Sequence, residues 1–123
     1  MSKYVDGFVI PLPKDKIDAY KAIAEKASKV WKEYGALEYR ECVLEDNVTK
    51  DVLPFPQLAS AKEGETVVFA YITYNSRAHR DEVNAKVMAD PRMNEMCGSE
   101  GMPFDCARMA YGGFETIVEA GNR

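Results

Sequence analysis

Asp6 stands alone as an acid in the apolar, aromatic stretch Tyr4-Val5-Asp6-Gly7-Phe8-Val9-Ile10. Residues two apart on a strand share a face, so Tyr4 and Phe8 flank it and should keep water away. Burial penalises the charged form of a carboxyl, raises its pKa and suits it to proton transfer. The competing role is structural, as a partner for Arg108 or for a backbone amide. Tyr39 and Glu41 fall on one face of a second strand, and Tyr71 lies on a third, so the three could line the same cavity as Asp6. As core aromatics with a wet hydroxyl, the tyrosines need no ligand at all. Arg108 with Asp105, and Arg92 with Asp90, suit either a carboxylate-binding fork or a salt-bridge lock on a turn, and the lock is favoured.

Other reactive residues offer less. His79 is the only histidine and has no second ligand one helical turn on, so a metal or haem site has little support. Solvent exposure is expected for it. Cys42, Cys97 and Cys106 cannot all pair with one another and show no Cys-x-x-Cys spacing. Reduced thiols are expected, with Cys42 and Cys106 as buried hydrophobes, because neither has a base nearby in sequence to form thiolate. Gly112-Gly113 lacks the lysine and the helix start of a phosphate cradle, and marks instead a bulge or a close backbone approach at a dimer contact. No cofactor is implied.

These side chains need elements to position them. Tyr4 to Ile10 is a strand, stopped by Pro11 and Pro13. From Lys14 to Tyr34, Ile17, Tyr20, Ala24, Ala27, Trp31 and Tyr34 recur at helical spacing, with Asp15 and Asp18 at the start and Gly35 as C-terminal cap. A second strand runs from Ala36 to Leu44. Asn47 to Gly64, with Pro54-Phe55-Pro56, is a long loop with one helical turn from Gln57 to Lys62, either a surface insertion or a lid carrying Phe55. Thr66 to Tyr74, β-branched and aromatic throughout, is a central strand. Ser76 caps a helix reaching Met88 or Ala89, Asp90-Pro91 ends it and starts a short turn through Met96, and Gly98 to Gly101 is a flexible link. Arg108 to Val118 is the last strand, and Ala120 to Arg123 a frayed tail.

Strand, helix, strand, strand, helix, strand is the order of an α+β, ferredoxin-like βαββαβ fold: a four-stranded antiparallel sheet with two helices on one face. Residues 1–123 suffice for one such domain. Side-chain size predicts that Val5, Gly7 and Val9, and Val68, Ala70 and Ile72, lie under the helices. Tyr4, Asp6, Phe8 and Ile10, with Phe69 and Tyr71, would then form a second face too apolar for water. A second copy of the chain is the simplest cover, giving a homodimeric barrel with Asp6 inside it. Sixteen basic against twenty acidic residues, a net charge of −4 and interleaved lysines offer no positive stripe for nucleic acid. No window reaches the roughly 18 apolar residues of a membrane span, and no signal segment is evident, so a cytoplasmic protein is expected.

The segments Tyr4-Val5-Asp6-Gly7-Phe8-Val9, Asn84 to Met93, and Met102-Pro103-Phe104-Asp105 through Arg108 to Phe114 resemble the YbaA-like family of uncharacterised bacterial proteins. The resemblance covers nearly the whole chain and implies a dimeric α+β barrel. It implies no particular activity, since one fold hosts many functions. Two functions therefore stand open. One is a homodimer that binds or transforms a small molecule in a cavity of the barrel, with Asp6 as acid or base and Tyr39, Glu41, Tyr71 and Arg108 as ligand contacts. The other is a non-catalytic interaction or regulatory dimer with a filled interior.

Overall fold

In the computed structural model, which describes residues 3–96 and 103–121, the strand carrying Asp6 is longer than its prolines predict. Strand β1 runs Tyr4–Pro13. Its neighbour on one flank, β4 (Ala110–Glu115), ends opposite Val9, so that flank is unpaired from Ile10 onward. Pro11 and Pro13 have no N–H to give, and a free strand edge is where such residues are tolerated. On the other flank β1 pairs along its whole length with β3 (Glu65–Tyr74).

After a single 3-10 turn at Lys14–Lys16, helix α1 spans Ile17–Glu33 and buries Tyr20, Ala24, Ala27 and Val30. Gly35 ends it at a φ of 113°, a conformation that a side chain would strain, and the Ala36 amide closes the cap on the Trp31 carbonyl at 3.0 Å. Strand β2 (Glu38–Val43) pairs with β3. In the following loop the helical turn, α2, lies at Phe55–Leu58, two residues earlier than expected, because Pro56 fits the first turn of a helix, where no N–H is needed. Helix α3 (Arg77–Ala89) starts on Ser76, whose hydroxyl accepts the His79 amide at 3.1 Å, and α4 spans Pro91–Met96. The last strand is shorter than expected, since Cys106–Arg108 forms a 3-10 turn. The expected link at Gly98 to Gly101, together with Cys97 and Met102, lies outside the described residues.

The sheet order is β2-β3-β1-β4, all antiparallel, with α1 and α3 packed on one face. This is the ferredoxin-like α+β fold. Val30 of α1 and Val83 and Val87 of α3 meet Ile72 and Tyr74 of β3 in one core, while Tyr20 and Ala24 meet Ile10, Leu12 and Val68 in another.

One expectation is overturned. Tyr4, Asp6, Phe8 and Ile10 face the helices, and Val5, Gly7 and Val9 face away. The register explains it: Phe8 lies opposite Ala70 and Asp6 opposite Ile72, so large and small residues alternate across the pair and size does not mark the face. For β3 the expectation holds. The outer face still carries apolar side chains, with Phe69 44% and Phe114 61% exposed.

Candidate functional site

Antiparallel pairing places Tyr39 opposite Ile72 and Glu41 opposite Ala70, so both side chains stand on the helix-covered face. From above, α1 lowers Tyr20 onto the same spot. Its hydroxyl donates to Glu41 Oε1 at 2.6 Å, and the Tyr39 hydroxyl donates to Glu41 Oε2 at 2.7 Å. Burial pushes the Glu41 carboxyl above its ordinary range, and the two phenols pull it partly back. The same burial, together with the neighbouring carboxylate, raises the Tyr20 hydroxyl.

Two cavities meet at this carboxylate. An outer one of about 320 Å³ lies under α1 beside Lys21, Glu25, Ser28 and Val43. An inner one of about 220 Å³ is walled mainly by apolar side chains, among them Phe8, Ile10, Trp31, Ile72 and Phe104, with Arg40 also on its lining. Tyr20, Ala24, Tyr39 and Glu41 line both. Among the described residues no cationic side chain pairs with Glu41. A carboxyl so placed can hold a hydrogen-bond donor or a cation, or exchange a proton with a molecule in either cavity.

Asp6 belongs to a different cluster. It is 1% exposed beneath α3 and lines neither cavity. Its partner is Arg80, whose Nη1 lies 3.5 Å from Asp6 Oδ1, within ion-pair range but accepted by Oδ1 as no hydrogen bond. Burial raises the Asp6 carboxyl; Arg80 and hydrogen bonding with Tyr111, Asn84 and Tyr74 oppose the shift. Arg80 also donates to the hydroxyls of Tyr111 at 2.8 Å and Tyr4 at 3.3 Å, and lies 5.0 Å over the Tyr4 ring. Its Nε, although 3.2 Å from Asp81, is not aligned to donate.

Arg108 stands apart from both clusters and is no partner of Asp6. It grips Glu65 through two contacts of 2.8 Å and the Ser60 carbonyl at 2.9 Å, locking the loop end to the turn before β4. The lock holds the Glu65 carboxyl at about 2, below its ordinary 4.5, chiefly through the Arg108 hydrogen bonds. Tyr71 lines neither of the two cavities at Glu41. It pairs with Gly7 and Arg40 on the outer face, because Tyr71 and Ile72 are consecutive and must point opposite ways.

Arg92 forms the second lock, on Asp90 at 2.8 Å and Glu33 at 3.0 Å, while Tyr34 donates to Asp90 at 2.7 Å. Asp105 accepts the Ala107 amide at 3.0 Å. His79 is half-buried rather than free in solvent, its Nδ1 accepting the Asn75 amide at 3.0 Å. Cys42 and Cys106 are exposed, not buried, since Cys42 lies on the outer face and Cys106 in a surface turn. Gly113 forms no bulge. A Cβ there would collide with the Tyr4 ring, and the Phe114 ring lies over Gly7 and Gly112.

Sequence reasoning missed Tyr20, Arg80 and Asn84 as site residues. The signal existed: Arg80, Val83, Asn84 and Val87 fall on one stripe of α3, so a charge and an amide sit on its inward face. Tyr20 sits likewise on the buried stripe of α1 with a hydroxyl to satisfy.

The layered fold defines the chain first as a ferredoxin-like α+β protein, and solved structures share that architecture. A dimeric ferredoxin-like protein from an uncultured marine organism superposes with a TM-score of 0.55 at 14% identity, over 98% of this chain and 100% of that one. A NIPSNAP family protein from Agrobacterium tumefaciens gives 0.61 at 14% identity, over 96% and 91%. The chain belongs to the family described as "Protein of unknown function (DUF1428)", whose model matches residues 3–106. It is 50% identical over 117 residues to the uncharacterized protein YbaA of Escherichia coli strain K12, covering 95% of this chain and 98% of that one. The same identity and coverage relate it to YbaA of Shigella flexneri.

Proposed function

We propose that the chain acts as a cytoplasmic homodimer that binds, and in an enzymatic form transforms, a small molecule in the paired cavities between α1 and the sheet. The observation that carries this is Glu41, a half-buried carboxyl held by two phenols where the cavities meet. Ligand sites combine apolar walls with a few placed polar groups and a few hundred Å³ of space, which matches this region.

In this reading Glu41 is the acid/base or ligand-anchoring group, and Tyr39 and Tyr20 orient it. Asp6 and Arg80 hold α3 on the sheet, and Arg108 fixes the loop before β3. A second copy covers the outer face, because Phe69 and Phe114 expose too much apolar surface beside Val5 and Val9. Exposed Cys42 and Cys106 suit a reducing compartment.

A thermal-shift screen of metabolites against wild type and Glu41→Gln tests the reading. Compounds that stabilise wild type and lose their effect in a folded Glu41→Gln variant are expected. Hits that act equally on both, or a screen without hits, would overturn it.

A further inference from the structure

Taking Glu41 and its cavities to be the ligand site, we infer that the ligand is a hydrophobic amine: a protonated nitrogen set against Glu41, with an apolar body in the inner cavity. Three features converge on this. Glu41 lies between two cavities with no cationic partner among the described residues, and a carboxylate partly withdrawn from water is stabilised when a counter-charge or donors complete its shell. Tyr20 and Tyr39 each supply one hydrogen bond to Glu41, which lines both cavities, and each carboxylate oxygen has the capacity to accept a second. Aromatic rings line the inner cavity beside it: Trp31 packs on Tyr39 with ring centroids 5.9 Å apart, and Phe104 on Tyr20 at 5.6 Å. Ring faces attract ammonium groups and repel carboxylates. A ligand carboxylate would meet Glu41 as a like charge, and a neutral alcohol would leave the charge uncompensated.

The inner cavity limits the body. Phe8, Ile10, Ile72 and Trp31 wall it with apolar surface, Arg40 on its lining is engaged by Glu38 at 3.5 Å, and about 220 Å³ admits a single aromatic ring with a short alkyl arm. The raised carboxyl of Glu41 adds a pH signature. Amine binding should weaken as pH falls and Glu41 takes up a proton, although the amine itself stays charged.

Trp31 is the only tryptophan and lines the inner cavity, so its fluorescence reports occupancy directly. The test titrates 3-phenylpropylamine, 3-phenylpropanol and 3-phenylpropanoate into the wild-type protein and into Glu41→Gln. At least tenfold tighter binding of the amine by wild type is expected, with that preference lost in Glu41→Gln while the alcohol changes less than threefold. Ala24 lines both cavities, so Ala24→Leu should abolish the response to all three and keeps the test valid if Glu41→Gln fails to fold. Equal binding of the three probes would overturn the amine assignment and leave the cavity as a ligand site. An amine preference that survives Glu41→Gln, or binding of none of the probes, would overturn the assignment too. Binding that persists in a folded Ala24→Leu would remove the cavity reading itself.

Discussion

Replacing Asp6 with asparagine would strip the charge opposite Arg80 while keeping the shape of the side chain. Removing the Asp6 charge leaves Arg80 with only the more exposed Asp81 as counter-charge, so a loss of about 2 kcal/mol in unfolding free energy is expected. Ligand response should persist, because Asp6 lines neither cavity. Retained stability with selective loss of ligand response would make Asp6 the acid/base group instead. Glu65 gives a second prediction, in pH. Its carboxyl falls to about 2 in the fold from an ordinary 4.5, so its contribution is full above about pH 4.5 and is lost as pH drops toward 2. Glu65→Gln should therefore lower the melting temperature at neutral pH and flatten its fall between those values; parallel acid limbs would contradict the Arg108 lock. Asp6 and Glu41 act in the opposite sense, since carboxyls raised in the fold favour it at acid pH.

The period of α1 makes that helix and its buried stripe readable from the chain, and Ser76, Gly35 and Asp90-Pro91 mark ends that the structure keeps. Strand facing was readable only in part. For β3 the apolar run Val68-Ala70-Ile72 sits under the helices as expected, but β1 alternates large residues against small ones whose sides are set by pairing with Ala70 and Ile72. Nothing local to β1 carries that information. The site followed the same division. Tyr39 and Glu41 share a face by simple alternation, whereas Tyr20 and Arg80 join their clusters through contacts 21 and 76 positions away in sequence, to Glu41 and Tyr4. Trp31 tests the element scale. It is half-buried, packs on the core and donates to Asn84 at 3.2 Å, so Trp31→Ala should cost about 2 kcal/mol, below the 3–5 kcal/mol typical of a fully buried tryptophan. A change below about 1 kcal/mol by denaturant titration would mean that α1 does not rest on α3 at this point.

At the scale of the molecule, the sheet presents one face to its helices and the other to whatever covers it. Among the described residues no helix is long and apolar enough to cross a membrane. A second chain is the expected cover, burying on the order of 2,000 Å² in total. Sedimentation should show a dimer at micromolar concentration, and Phe69→Glu should yield a folded monomer, because the exposed ring lies on that face. A wild-type monomer would contradict the assembly.

The central claim, that the space around Glu41 is a ligand site, is tested most directly by NMR with methyl and amide labels while a screening hit is titrated in. Shift changes are expected at Ala24, Ala27, Glu41, Ala70 and Ile72, which wall the inner cavity, and should vanish in Ala24→Leu. Changes confined to the outer face around Phe69 and Phe114, with the cavity signals unmoved at saturation, would contradict it.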